Sequence, residues 1–256
     1  MLHALLEREV VPDLVVGTSV GAFHGAMVAA EPSIASVEKL EAAWRELAEL
    51  GVLGSSWLTD ATSLLRTRTH VRSHGPLRRL AARLLGVETF EQLAVPFQCV
   101  AACIERAAEH WFTSGPLVDA ILASAAVPGI LPPVEIGGEH FIDGGIVNSI
   151  PIDRAVFLGA DEIYVLHVGR IDQPLDVPKR LRDVAMVPFE IARRHRFVRE
   201  LASVPAGVVV HVLPTGDPDP ARYNDLSQLR YRGFRGGDRR IAHAYWATSE
   251  YLDTRA

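Results

Sequence analysis

Ser19 lies in Gly17-Thr18-Ser19-Val20-Gly21, a G-x-S-x-G pattern. The apolar run Leu14 to Val16 precedes it, and Ala22, Gly25, Ala26, Ala29 and Ala30 follow at helical spacing. Strand, sharp turn and helix together are the setting of a nucleophile elbow. Such a turn holds its serine in a strained backbone conformation, so glycines are expected at 17 and 21, where a Cβ would clash. The hydroxyl then projects past the strand end, where the Val20 N–H and the start of the helix favour developing negative charge. The five-residue pattern alone is weak. Its plain alternative is a tight strand-to-helix turn with an incidental serine.

A serine hydroxyl needs a base to take its proton. Asp143 ends an apolar strand and is followed by Gly144 and Gly145, which places a carboxylate beside flexible backbone. Asp-Gly-Gly also describes a simple turn. Histidine must be weighed, since Ser-Asp-His order fits a triad. His167 and His211 fall within expected strands, and His195 within an arginine-rich helix. Each reads as a core or surface histidine. His24, one helical turn past Ser19, reads as a helix-packing residue. An α/β-hydrolase reading fails on position: its elbow follows several strands, and here only about a dozen residues precede it.

The elements that must position these groups follow from periodicity. Leu2, Leu5 and Leu6 share a helical face, ending at Val10-Val11-Pro12. Ser36 to Leu50 reads as an amphipathic helix with Val37, Leu40, Trp44 and Leu47 on one face. Residues 51 to 75 are turn-rich, and Pro76 to Leu85 is a basic amphipathic helix closed by Gly86. Its Arg78, Arg79 and Arg83 suit a solvated face better than an anionic lipid surface. The irregular stretch 32–92 is the candidate cap or lid. Val95 to Ile104 and Glu109 to Thr113 suggest one hairpin; Val134 to Ile136 and His140 to Ile142, around Gly137-Gly138, suggest another. Pro116 to Ala126 and Pro151 to Leu158 read as helices, and Ile163 to Val168 as a buried strand. Leu181 to Leu201 is a long helix containing Pro188, Val208 to Leu213 a last strand, and Arg239 to Leu252 a terminal helix. Strands alternating with helices argue for an α/β sandwich with a largely parallel sheet, in a single domain over 1–256.

Composition narrows the function. The chain has 256 residues, 48% hydrophobic and 22% charged, with a formal net charge of −5. That argues against a nucleic-acid partner, which would want a basic face. Cys99 and Cys103 lie four apart in one apolar run, on one strand too far apart to bridge, with no metal-ligand spacing. The start lacks a basic segment and an apolar core, so a signal peptide is not expected, and no apolar run is long enough to span a bilayer. A cytoplasmic protein, at most peripheral at a membrane, is the expectation.

Three stretches, in order, resemble the patatin-like phospholipases: Pro12-Asp13-Leu14-Val15-Val16-Gly17-Thr18-Ser19-Val20-Gly21-Ala22; Ile121-Leu122-Ala123-Ser124-Ala125-Ala126-Val127-Pro128-Gly129; and Phe141-Ile142-Asp143-Gly144-Gly145, with Asn148 and Pro151 following. Glu88 to Leu93, leading into Val95-Pro96, is similar too. The resemblance implies a three-layer α/β/α sandwich with a mostly parallel central sheet. It also implies hydrolysis of lipid acyl esters, of phospholipase A or lysophospholipase type, through an acyl-enzyme. Ser19 would be the nucleophile and Asp143 its base, with no histidine, metal or cofactor, and a lipid ester or phospholipid as partner. The family opens with a strand and a glycine-rich oxyanion loop, and Met1 matches a position in the helix after them. Strand and loop are therefore expected to be missing, leaving the Val20 N–H as a partial oxyanion donor. The alternative is a catalytically impaired lipid-binding or interaction protein on the same scaffold.

Overall fold

The computed structural model describes residues 1–49, 69–167, 171, 173–218 and 235–255. The chain divides into two compact units, one made of Pro12–Leu47 and Ser55–Pro151, the other of Met1–Val11, Ala48–Gly54 and Ile152–Ala256.

The first unit is built on β2 (Phe97–Cys103), whose residues are buried except Gln98. Apart from Gln98 its run is apolar, as both faces of the strand are buried. On one edge lies β3 (Ala108–Phe112), antiparallel, from Cys99↔Phe112 to Cys103↔Ala108. Two strands share the other edge end to end. β1 (Val15–Thr18) runs parallel, from Val15↔Phe97 to Thr18↔Val100, and β5 (Glu139–Asp143) antiparallel, with Ala101↔Asp143. Thr18 and Asp143 thus sit opposite consecutive residues of one strand. That register brings the end of the elbow strand to the end of the Asp-Gly-Gly strand. β4 (Val134–Ile136) completes the sheet as a hairpin with β5. The sheet is mixed: the two expected hairpins supply its antiparallel pairs. Among the described residues, β1 has a strand neighbour on one edge only.

Helices α2 (Val20–Ala30), α3 (Ile34–Glu49), α4 (Gly75–Leu85) and α5 (Leu117–Ser124) belong to this unit. Ala22, Ala26 and Ala29 are fully buried, which lets α2 lie close against β1. α5 buries Leu117, Ile121 and Leu122 against β2 and β5. Two of the three α4 arginines are paired at the surface, Arg78 with Asp119 at 2.6 Å and Arg83 with Glu46 at 2.5 Å, as suits a solvated face. Of the stretch read as a cap, residues 50–68 lie outside the described residues.

In the second unit, β6 (Glu162–Val165) and β7 (Val209–Val212) pair in parallel. With them are α1 (Leu2–Glu7), α6 (Ile152–Phe157), α7 (Leu181–Ala202) and α8 (Arg235–Asp253). Ala4 and Leu5 of α1 pack with Leu213 and with Leu252 of α8. Arg8 clamps the pair, with Nη2 donating to Asp253 Oδ1 at 2.7 Å and Nη1 to Ser249 Oγ at 3.3 Å. β6 ends at Val165, so His167 lies beyond the strand and not within it. Its expected continuation to Val168 ends outside the described residues.

Candidate active site

Ser19 has φ 56° and ψ −121°, a strained conformation for a non-glycine residue. The strain is imposed by the abrupt passage from β1 into α2. A Cβ on Gly17 would lie 2.6 Å from Gly21 O and 2.7 Å from Ala22 Cα. Glycine at 17 is thus what allows α2 to fold back over the strand end. Gly21 differs from expectation, because a Cβ there would meet nothing within 4 Å.

Ser19 Oγ donates to Asp143 Oδ2 at 2.6 Å. Asp143 is 6% exposed, and its Oδ1 accepts from the Gly145 N–H at 2.7 Å. The Asp-Gly-Gly segment is therefore both things the sequence allowed: a 3₁₀ turn over Gly144–Ile146, and a cradle that orients a carboxylate. Burial pushes the Asp143 carboxyl above its ordinary range, against the pull of the hydrogen bonds from Ser19 and Gly145. A carboxylate so placed can take the serine proton and hold it more firmly than a solvated one.

Two ties that sequence reasoning missed hold this pair in place. The Ser19 N–H donates to Ser124 Oγ, a fully buried hydroxyl at the end of α5, at 2.9 Å. Two residues on, Ala126 O accepts the Asp143 N–H at 3.0 Å. One short segment thus fixes both motifs, whose residues are 124 apart in the chain. Its Ser124-Ala125-Ala126 was visible as part of the resemblance, but nothing local marked Ser124 as a positioning residue. Thr18 Oγ1 adds a third tie, donating to Asn148 O at 2.8 Å beyond the Asp-Gly-Gly turn. Ser124→Ala leaves the half-buried Ser19 N–H without its partner. It should cost about 1–2 kcal/mol in urea unfolding and lower kcat more than it raises KM.

The helix start leaves the Val20 N–H without an acceptor among the described residues, free to meet an oxyanion. His24 does not serve Ser19. Its Nε2 accepts from Trp44 Nε1 at 2.7 Å, joining α2 to α3, and burial lowers its pKa to about 4. The fold therefore holds His24 neutral, and its contribution is present above pH 6.5 and lost as pH falls towards 4. His24→Gln keeps an acceptor for Trp44 and should remove up to about 3 kcal/mol of that acid sensitivity, read from urea midpoints at neutral and acid pH. His211 is held between Glu162 Oε1 (3.0 Å) and Tyr251 OH (3.2 Å), and His195 lies exposed on α7. Among the described residues no cluster of His, Cys, Asp and Glu could hold a metal ion. Cys99 and Cys103 are free and buried, and burial raises the Cys99 thiol. No helix of the described residues is long and apolar enough to cross a membrane.

The family model for patatin-like phospholipases matches residues 1–156. Among curated proteins, the chain is 28% identical over 172 residues to the lysophospholipase nte1 of Aspergillus fumigatus, covering 67% of this chain and 11% of that one. It is 27% identical over 182 residues to the patatin-like phospholipase domain-containing protein 7 of Rattus norvegicus, covering 68% and 12%. The chain thus spans about a tenth of the length of these relatives. A match over more than half the chain, on a mixed sheet flanked by helices, shows the α/β sandwich fold and the family: the chain belongs to the patatin-like phospholipases.

Proposed function

We propose that this chain hydrolyses acyl esters of lysophospholipids or phospholipids through a Ser19–Asp143 dyad. The observation that carries the reading is the 2.6 Å hydrogen bond from Ser19 Oγ to Asp143 Oδ2 at a strained elbow. Oγ attacks the ester carbonyl carbon as its proton passes to Oδ2. The carbonyl oxygen becomes an oxyanion, met by the Val20 N–H and the start of α2. Collapse breaks the ester bond, and Asp143 returns the proton to the departing glycerol-backbone oxygen. A water then gives its proton to Asp143 and attacks the acyl-serine, releasing the fatty acid and restoring the dyad. Gly17, Thr18 and Gly21 belong to the elbow; Gly144 and Gly145 shape the base turn.

A fluorophosphonate probe tests the nucleophile directly. It should add one phosphonyl group to the tryptic peptide carrying Ser19, and Ser19→Ala should abolish both the label and fatty-acid release from lysophosphatidylcholine. A folded chain that neither takes the label nor releases fatty acid is the non-catalytic relative of the family instead.

A further inference from the structure

Helix α7 buries Phe197 but turns an apolar stripe outward. Leu181, Val184, Pro188, Ile191, His195, Val198 and Ala202 follow alternating spacings of three and four and so form one stripe, and all seven are exposed. Leu181 is 88% exposed, Val184 51%, Ile191 54% and Val198 59%. Most of the charges lie elsewhere and are engaged. Glu190 holds Arg193 and Arg194 at 2.7 Å, Arg196 reaches Asp153 at 2.9 Å and also Glu200, and Asp183 is buried. No carboxylate of α7 falls on the stripe. Arg180 just before the helix and Arg199 near its end are exposed and flank the stripe, and Asp176, Val177 (80%) and Lys179, just ahead of the helix, are exposed too. In a chain of net charge −5, this one face is apolar and cationic.

We propose that the outward face of α7 docks on an anionic phospholipid surface, lying in the interface with its apolar stripe among the acyl chains and its arginines at the phosphates. Three-four spacing also suits a helix partner. A second copy of this chain, however, would bring the same cations face to face, and Pro188 and His195 would occupy seam positions. A lipid surface complements the charge and tolerates both. The inference goes beyond ester hydrolysis, and its test reads binding and not turnover, so either can fail without the other.

The full chain should co-sediment with phosphatidylcholine vesicles containing about a third phosphatidylglycerol and far less with phosphatidylcholine alone. Raising salt from about 0.1 M to 1 M should reduce the binding. Ile191→Asp and Leu181→Asp change exposed side chains and should each lower the partition coefficient about tenfold or more. Arg180→Glu with Arg199→Glu should remove the preference for anionic lipid. A wild-type chain that stays in the supernatant, or variants that bind as it does while folded by circular dichroism, would overturn the proposal. So would a wild-type dimer by light scattering that Ile191→Asp converts to monomer, since the face would then be a self-interface.

Discussion

Asp143→Asn should abolish turnover and at the same time stabilise the protein at neutral pH. The two effects share one cause. Asp143 receives two hydrogen bonds, from Gly145 N–H to Oδ1 and from Ser19 Oγ to Oδ2. Asparagine can keep both contacts: its oxygen accepts from Gly145, and its amide donates to the serine oxygen, which accepts as readily as it donates. Geometry is retained and the base is lost, so kcat/KM should fall on the order of 10³-fold or more. Burial has raised the pKa of the wild-type carboxyl, so the folded protein favours the protonated form. That contribution is fully present below the unfolded carboxyl pKa and is lost as pH rises through the folded one. Wherever the carboxyl is ionised, the wild type therefore carries a desolvated charge that the variant lacks. Urea midpoints should show the variant more stable at pH 7.5 and the difference shrinking at pH 4. In the same pH range, wild-type kcat/KM should fall as acid protonates Asp143, with its midpoint above that of an ordinary aspartate. Equal stabilities at both pH values would mean that the carboxylate is solvated in the folded state.

Much of the site was legible because its requirements are local. Ser19 announces itself through a strand end, a glycine where two backbones touch, and a helix of small residues. Asp143 does so through a strand that stops at two glycines. The meeting of the two was expected only through the resemblance, because it depends on β2 taking β1 and β5 end to end along one edge, a register no local pattern encodes. Ser124 and Ala126 were missed for the same reason: Ser124 meets Ser19, 105 residues away, and Ala126 meets Asp143 on another strand. His167 was placed in a strand because Leu166 to Val168 continues the apolar run of β6, yet β7 pairs with β6 only as far as Val165. Helix α7 was legible as a helix but not in its orientation. Glu190, Arg193, Arg194, Arg196 and Glu200 find partners on the protein, while the apolar stripe faces outward.

The glycines of the two motifs should separate sharply when each is changed to alanine. A Cβ on Gly144 would lie 2.1 Å from Val100 O and 2.8 Å from Val100 C, in the backbone of the central strand. No rotamer change relieves such a contact, so β2 or the turn must move. Gly17→Ala meets backbone in the same way, at Gly21 O and Ala22. Both variants should lose more than about 3 kcal/mol in urea unfolding, or fail to accumulate as folded protein. Gly145→Ala meets only Asp143 Oδ1, at 2.9 Å, a side-chain atom. It should keep most of the stability and lose activity, about tenfold or more, because the carboxylate must turn away from Ser19. Gly21→Ala meets nothing and lies in the first turn of α2, where alanine is the better helix former, so it should be neutral or stabilising by up to about 1 kcal/mol. The order Gly21→Ala, Gly145→Ala, then Gly17→Ala and Gly144→Ala in falling stability, with activity already lost at the second, is the expected result. A stable, active Gly144→Ala enzyme would mean that the turn does not sit against Val100, and the placement of Asp143 beside Ser19 would fall with it.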